Sequence, residues 1–205
     1  MKKLFIGVLA TISIIAYSCG ESASNTTPKE EKAPEAAHAT AEENAEVKVV
    51  KASFTNVDAA VANQIKNITD DYLQIKNALT NGKAADAGEA ANKMLAALKG
   101  LDKSLLSADQ KKVYDQQEGN LKTSGEHIAK STGDIEHQRE MFSSLSESLY
   151  TVVKAFGGGK TLYHDHCPMA KDGKGAMWLS ETKEIKNPYF GDKMMECGSV
   201  EEEIQ

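Results

Sequence analysis

No apolar run in this sequence is long enough to cross a bilayer. The longest uncharged, mostly apolar stretch, Leu4 to Tyr17, has fourteen residues, short of the ~20 that a helix needs to span the hydrocarbon core. Basic residues are outnumbered, 24 Lys and Arg against 30 Asp and Glu, for a formal net charge of -6. There is no basic stripe, aromatic platform or basic helix, so a nucleic-acid partner is not expected. No nucleophile and base stand at productive spacing, and neither a Gly-rich phosphate loop nor a paired-acid signature is present. An enzyme is therefore not expected. Internal periodicity is too weak for a helical repeat array.

The first twenty residues carry a definite signal. Lys2 and Lys3 give a positive start, Leu4 to Tyr17 has the length of a signal-peptide core, and Ala16, Tyr17 and Ser18 precede Cys19. The pattern resembles a bacterial lipobox. It predicts a signal peptide over residues 1–18 and lipid on Cys19, which would anchor the chain to the inner or outer membrane of the cell envelope. Each buried acyl methylene contributes ~0.8 kcal/mol, so two or three chains hold firmly. Loss of Lys2 and Lys3 with the signal turns the net charge of -6 into -8. Residues 19–50, rich in Glu, Lys, Ala, Ser, Thr and Pro, have too little apolar surface to offset the entropy of ordering and read as a disordered tether. As a flexible coil it would reach ~30 Å.

Residues 51–159 read as helices. Val57, Val61, Ile65, Ile68, Tyr72, Ile75 and Leu79 recur in steps of four and three, with Thr55 or Asn56 as the cap and Asn81-Gly82 as the stop. Ala87, Ala91, Met94, Leu98 and Leu101 mark a second helix ending near Gly100. Ser107 and Gln110 form a capping-box pattern opening a third toward Lys130, its stripe of Val113, Tyr114, Leu121 and Ile128 interrupted by Gln117 and Gly125. A fourth runs from Asp134 through Phe142, Leu145, Leu149, Val152 and Phe156 to Gly157-Gly158-Gly159. The expected fold is mainly α, an antiparallel four-helix bundle with a small irregular or β lobe at the C-terminus. His127 and His137 read as surface or satisfied polar residues, and Asp134, Glu136 and Arg139 as a charged helix start.

Residues 160–205 change character. They hold two of the five histidines, four of the six methionines after Met1, both cysteines after Cys19 and the only tryptophan. Thiolate and thioether sulfur prefer Cu(I) to hard divalent ions, and imidazole suits copper and zinc. The candidate ligands are Cys167, Met169, Met194, Met195 and Cys197, supported by His164 and His166. Alternation on an extended strand puts both histidines on one side, and Pro168 would turn the chain so that Cys167 and Met169 come round together. Met177 and Trp178 read more readily as packing residues. The Met194-Met195 pair cannot bury both side chains on one face of a strand. Cys167 and Cys197 in an exported chain equally invite a disulfide, which would stabilise the fold by roughly 3 to 4 kcal/mol. A disulfide and a His/Met copper site can coexist.

The runs Asp134-Ile-Glu-His-Gln-Arg-Glu-Met-Phe142, Cys167-Pro-Met-Ala170, Gly175-Ala-Met-Trp-Leu-Ser180 and Asn187-Pro-Tyr-Phe-Gly-Asp-Lys-Met-Met-Glu-Cys-Gly198 resemble the domain of unknown function 3347, found in envelope proteins of Bacteroidota, over about residues 57 to 200. The resemblance implies a small lipoprotein, and similar domains are appended to periplasmic adaptor subunits of copper and silver efflux pumps. Cys167-Pro168-Met169 also resembles the metal-binding run of short modules in copper-exporting ATPases, usually Tyr-His-Cys-Pro-Met-His-Pro. Here His-Asp-His separates Tyr163 from Cys167, and Ala170 replaces the second histidine. The combined expectation is a membrane-anchored, non-enzymatic copper(I) or silver binding protein facing the periplasm. It would act as an accessory of metal efflux or storage and pass the ion to an efflux adaptor or another metal-transfer protein. The other reading is a helical adaptor or interaction module stapled by Cys167–Cys197, with no metal role.

Overall fold

The computed structural model describes residues 47–205. The expected signal peptide, Cys19 and the tether up to residue 46 lie outside the described residues.

Four long helices dominate: α1 (Ala59–Thr80), α2 (Ala84–Lys99), α3 (Ala108–Lys130) and α4 (Ile135–Phe156). Helix α1 starts later than its expected caps. Asp58 is the cap, its Oδ1 accepting from the Ala60 N–H at 2.8 Å. Thr55 and Asn56 cannot serve, because the preceding Ser53 and Phe54 donate their N–H groups to Lys154 and Ala155 at the end of α4 and keep the chain extended. The capping box of α3 forms as expected, with the Gln110 N–H on Ser107 Oγ at 3.3 Å and the Ser107 N–H on Gln110 Oε1 at 3.0 Å. Asp134 caps α4 through the His137 N–H, and Gly157, at φ 85°, ends it. A side chain there would be strained in that left-handed conformation.

Each helix packs on the next, and α4 also packs on α1. Ile65, Ile75, Leu79, Met94, Leu121, Phe142, Leu145 and Leu149 are fully enclosed between them. Gly125, which breaks the apolar stripe of α3, leaves room for the side chains of α2: a Cβ there would lie 2.9 Å from Met94 Cε.

Beyond α4 the chain forms a sheet in the order β1-β4-β2-β3, from β1 (Lys48–Val50), β2 (Leu162–Cys167), β3 (Ala176–Ser180) and β4 (Ser199–Ile204). Strand β2 is antiparallel to both neighbours, with His164 opposite Leu179 on β3. A bulge between His164 and Asp165 shifts the register against β4. Strand β1 pairs parallel to β4, Lys48 opposite Glu202. Residues 48–50, expected within the tether, therefore form an edge strand of the sheet. Strand β3 packs on α4 and α1, so the C-terminal lobe shares a core with the helices. Among the described residues no helix is long and apolar enough to cross a membrane.

Candidate functional site

The two cysteines of the lobe meet. Cys167 ends β2 opposite Ala176 and is fully buried, while Cys197 is half-buried in the turn before β4. Their Sγ atoms are bonded to each other, closing a loop of 30 residues with the Cα atoms 5.7 Å apart. In this bonded state neither Cys167 nor Cys197 offers a thiolate to a metal ion, so of the two expected roles the structure contains the disulfide. Asn187 holds the loop that delivers Cys197. Fully enclosed, it donates from Nδ2 to the Cys197 carbonyl at 2.7 Å, donates its N–H to Met195 O at 2.8 Å, and accepts the Tyr189 and Phe190 N–H groups on Oδ1. Nothing local in the sequence marks Asn187 as the loop's anchor, because its partners lie up to ten residues away.

The imidazoles converge elsewhere. His164 Nδ1 lies 3.4 Å from Glu201 Oε2, and His166 Nδ1 lies 3.5 Å from Glu201 Oε1. The alternation that places both histidines on one side thus leads to a carboxylate on the neighbouring strand. Burial pushes the His164 imidazole below its usual range, against the opposing pull of Glu201 and Glu202. Its ring stacks on Tyr150 of α4 with centroids 4.4 Å apart. Next to it, burial alone would raise the Glu202 carboxyl, but hydrogen bonds from Tyr150, Lys154 and Lys48 outweigh this and hold it at about 2.

The methionines do not follow the cysteines inward. Met169 is 54% exposed although Cys167 is buried, because Pro168 turns the chain outward and not back under the strand. It lines a cleft of about 510 Å³ with Tyr189, Phe190, Arg139 and three lysines. Met194 and Met195 are both half-buried, and the Cys197 N–H donates to Met194 O at 3.2 Å. Among the described residues no three His, Cys, Asp or Glu side chains are arranged to hold a metal ion.

Residues 68–161 match the family described as Protein of unknown function (DUF3347). Over these residues the chain is similar to the DUF3347 family. No curated protein and no solved structure matches the chain. The matched residues run from within α1 to the start of β2, so the DUF3347 match covers the helices and stops short of both C-terminal cysteines.

One feature spans the matched helices and the sheet. Asp165 is fully enclosed, and among the described residues neither carboxylate oxygen has a hydrogen bond of good geometry, the Trp178 indole N–H being near enough only to draw its carboxyl down slightly. Burial pushes its carboxyl up to about 8, against the pull of Lys76. Lys76 of α1 is itself 2% exposed and pairs with Glu181 Oε2 at 2.9 Å. Beside them the Tyr72 hydroxyl accepts the Leu179 N–H at 3.0 Å and bonds Ser146 Oγ at 2.7 Å. At the other end Arg139 is not a surface partner of Glu136 alone. It is largely buried, donating to Pro188 O at 2.9 Å and Leu79 O at 3.1 Å, and so ties the 187–197 loop to the end of α1.

Proposed function

We propose that this chain is a lipid-anchored envelope protein that binds copper(I) or silver(I) in its C-terminal lobe, as an accessory of metal efflux or storage and without enzymatic chemistry. The observation that carries the reading is the meeting of the Cys167 and Cys197 sulfurs across 30 residues, with Met194 in the same turn as Cys197. Exchange with an external dithiol reductant, which itself becomes the disulfide, would supply the two electrons and two protons that turn the bridge into two thiols at one place. Paired thiolates are the ligands that soft monovalent copper and silver select, and Met169, Met194, Met195, His164 and His166 are the further candidates. Ligand exchange onto an efflux adaptor or other metal-transfer protein would then move the ion without covalent chemistry.

The disulfide fits an oxidising compartment outside the cytoplasm, in keeping with the lipobox-like run before Cys19. The closed chain of helix contacts, α1 to α2 to α3 to α4 and back to α1, with its short connections, supports an up-down-up-down antiparallel bundle as the scaffold. A second reading, favoured by the buried bonded state of Cys167, is an adaptor or interaction module in which the bridge is only a staple.

Copper(I) titration against a chromophoric chelator separates the two, using the full chain with Cys19→Ser so that two thiols remain. The reduced protein is expected to withhold one equivalent of copper, the oxidised protein none, and Cys167→Ser or Cys197→Ser to abolish the binding. If the reduced chain leaves all copper with the chelator, the metal reading falls and the adaptor reading stands.

A further inference from the structure

A second pair of histidines lies away from the sulfur lobe, where α3 turns into α4. His127 Nδ1 and His137 Nε2 face each other at 3.2 Å, with ring centroids 5.4 Å apart and planes inclined at 63°. Local structure fixes both backbones. His127 sits in the last turn of α3, its carbonyl accepting the Ser131 N–H at 3.1 Å, and the His137 N–H is held by the Asp134 cap at 3.0 Å. His127 is exposed and His137 half-buried, so solvent ions reach both.

We propose that His127 and His137 form a two-imidazole site for a borderline divalent transition-metal ion such as copper(II), nickel(II) or zinc(II), with water completing the coordination. Three observations support it. First, the two nitrogens are 3.2 Å apart and turned towards each other; a rotation of the two exposed or half-buried rings that aims both lone pairs at one point would let them bind an ion at metal–nitrogen distances of ~2.0–2.1 Å with an angle of about 100° between them. Second, His137 Nδ1 lies 3.4 Å from Glu140 Oε2, so the carboxylate is placed to favour the tautomer with the proton on Nδ1 and a lone pair on Nε2. A carboxylate behind a ligating histidine is the usual means of fixing its tautomer.

Third, the surroundings favour a cation. The α3 C-terminus presents its free carbonyls beside His127, and carboxylates there outnumber the positive groups. Glu126 is paired with Lys130 and Glu136 with Arg139, whereas among the described residues no lysine or arginine lies within salt-bridge distance of Asp134 or Glu140. Without an ion one imidazole donates to the other; binding moves the His127 proton to Nε2. Imidazole selects borderline divalent ions and thiolates select soft monovalent ones, so this site is independent of the one in the C-terminal lobe.

The experiment uses the full chain with Cys19→Ser and the Cys167–Cys197 bridge intact, which removes thiolates from competition. Zinc(II) is titrated calorimetrically, and copper(II) is followed by electron paramagnetic resonance. The expected result is one equivalent of either ion, with splitting from two nitrogens in the copper spectrum. His127→Ala and His137→Ala each abolish it, and Glu140→Gln weakens it about tenfold. A double variant His164→Ala, His166→Ala leaves it intact. Both ligands lie at the surface, and an unchanged thermal melt of His127→Ala shows that the fold survives the test. Binding that persists in His127→Ala or His137→Ala, binding lost in the His164/His166 variant, or no binding to the parent chain overturns the proposal.

Discussion

The interior enclosed by the helices and the interior shared with the sheet differ in the charge they hold. Between α1 and α4 the enclosed residues are mainly aliphatic and aromatic, with uncharged polar groups such as Thr69, Ser143 and Ser146, whereas at the sheet α1 contributes Lys76 and β2 contributes Asp165, both almost wholly removed from water. The first interior is stabilised by burying apolar area, at roughly 25 cal/mol per Å². The second includes a carboxylate without a hydrogen bond of good geometry, an arrangement that costs free energy, and it lies beside the only cross-link among the described residues. Where apolar burial is interrupted by charge, a covalent bridge and an arginine clamp hold the loop in place.

Three measurements would break or sharpen this contrast. Phe142→Ala, which removes a fully buried ring stacked on Tyr72 at 5.0 Å, is expected to cost about 3–5 kcal/mol in urea unfolding. A cost below about 1 kcal/mol would mean that the helical core is not the main source of stability. Next, Cys167→Ser with Cys197→Ser is expected to lose about 3.5 kcal/mol through the wider freedom of the unfolded chain, with the helical circular dichroism retained. Loss of the helical signal as well would show that the helices depend on the lobe.

The smallest effect concerns Asp165. Its carboxyl is raised from 3.8 to about 8 in the fold, so between those pH values the folded protein keeps a proton that the unfolded chain has released. Stability from this group is therefore full below about pH 4 and is lost as the pH rises through 8. Asp165→Asn should remove that dependence, so that its stability relative to the parent rises between pH 4 and pH 9. An unchanged difference at the two pH values would show that Asp165 is not held protonated.

The helices were legible because their signals are local. Ser107 with Gln110 fixed the start of α3, and Asp134 and Gly157 fixed both ends of α4. The start of α1 was misplaced, since backbone bonds from Ser53 and Phe54 to α4 decide it, and these are long-range. Strand β1 was hidden at the edge of a low-complexity stretch, because its partner β4 lies about 150 residues away and pairing leaves no local pattern. The convergence of Cys167 and Cys197 was readable, as was the shared side of His164 and His166. Glu201, which receives both imidazoles, was not, because it belongs to an acidic run that looks solvated. Lys76 lies off the apolar stripe of α1 and is buried only because the sheet covers a second face of that helix.

Strand β1 also sets how the domain would carry a mechanical load. It is joined to the last strand by the parallel ladder, by the Gln205 N–H on Val50 O at 2.9 Å and by Lys48 on Glu202 at 3.3 Å. Tension arriving from residues before Lys48 would pull along β1 and shear these bonds together instead of peeling them one by one. Strands β1 and β4 are thus fastened to each other, and a tug on one is resisted by the other before it reaches the helices.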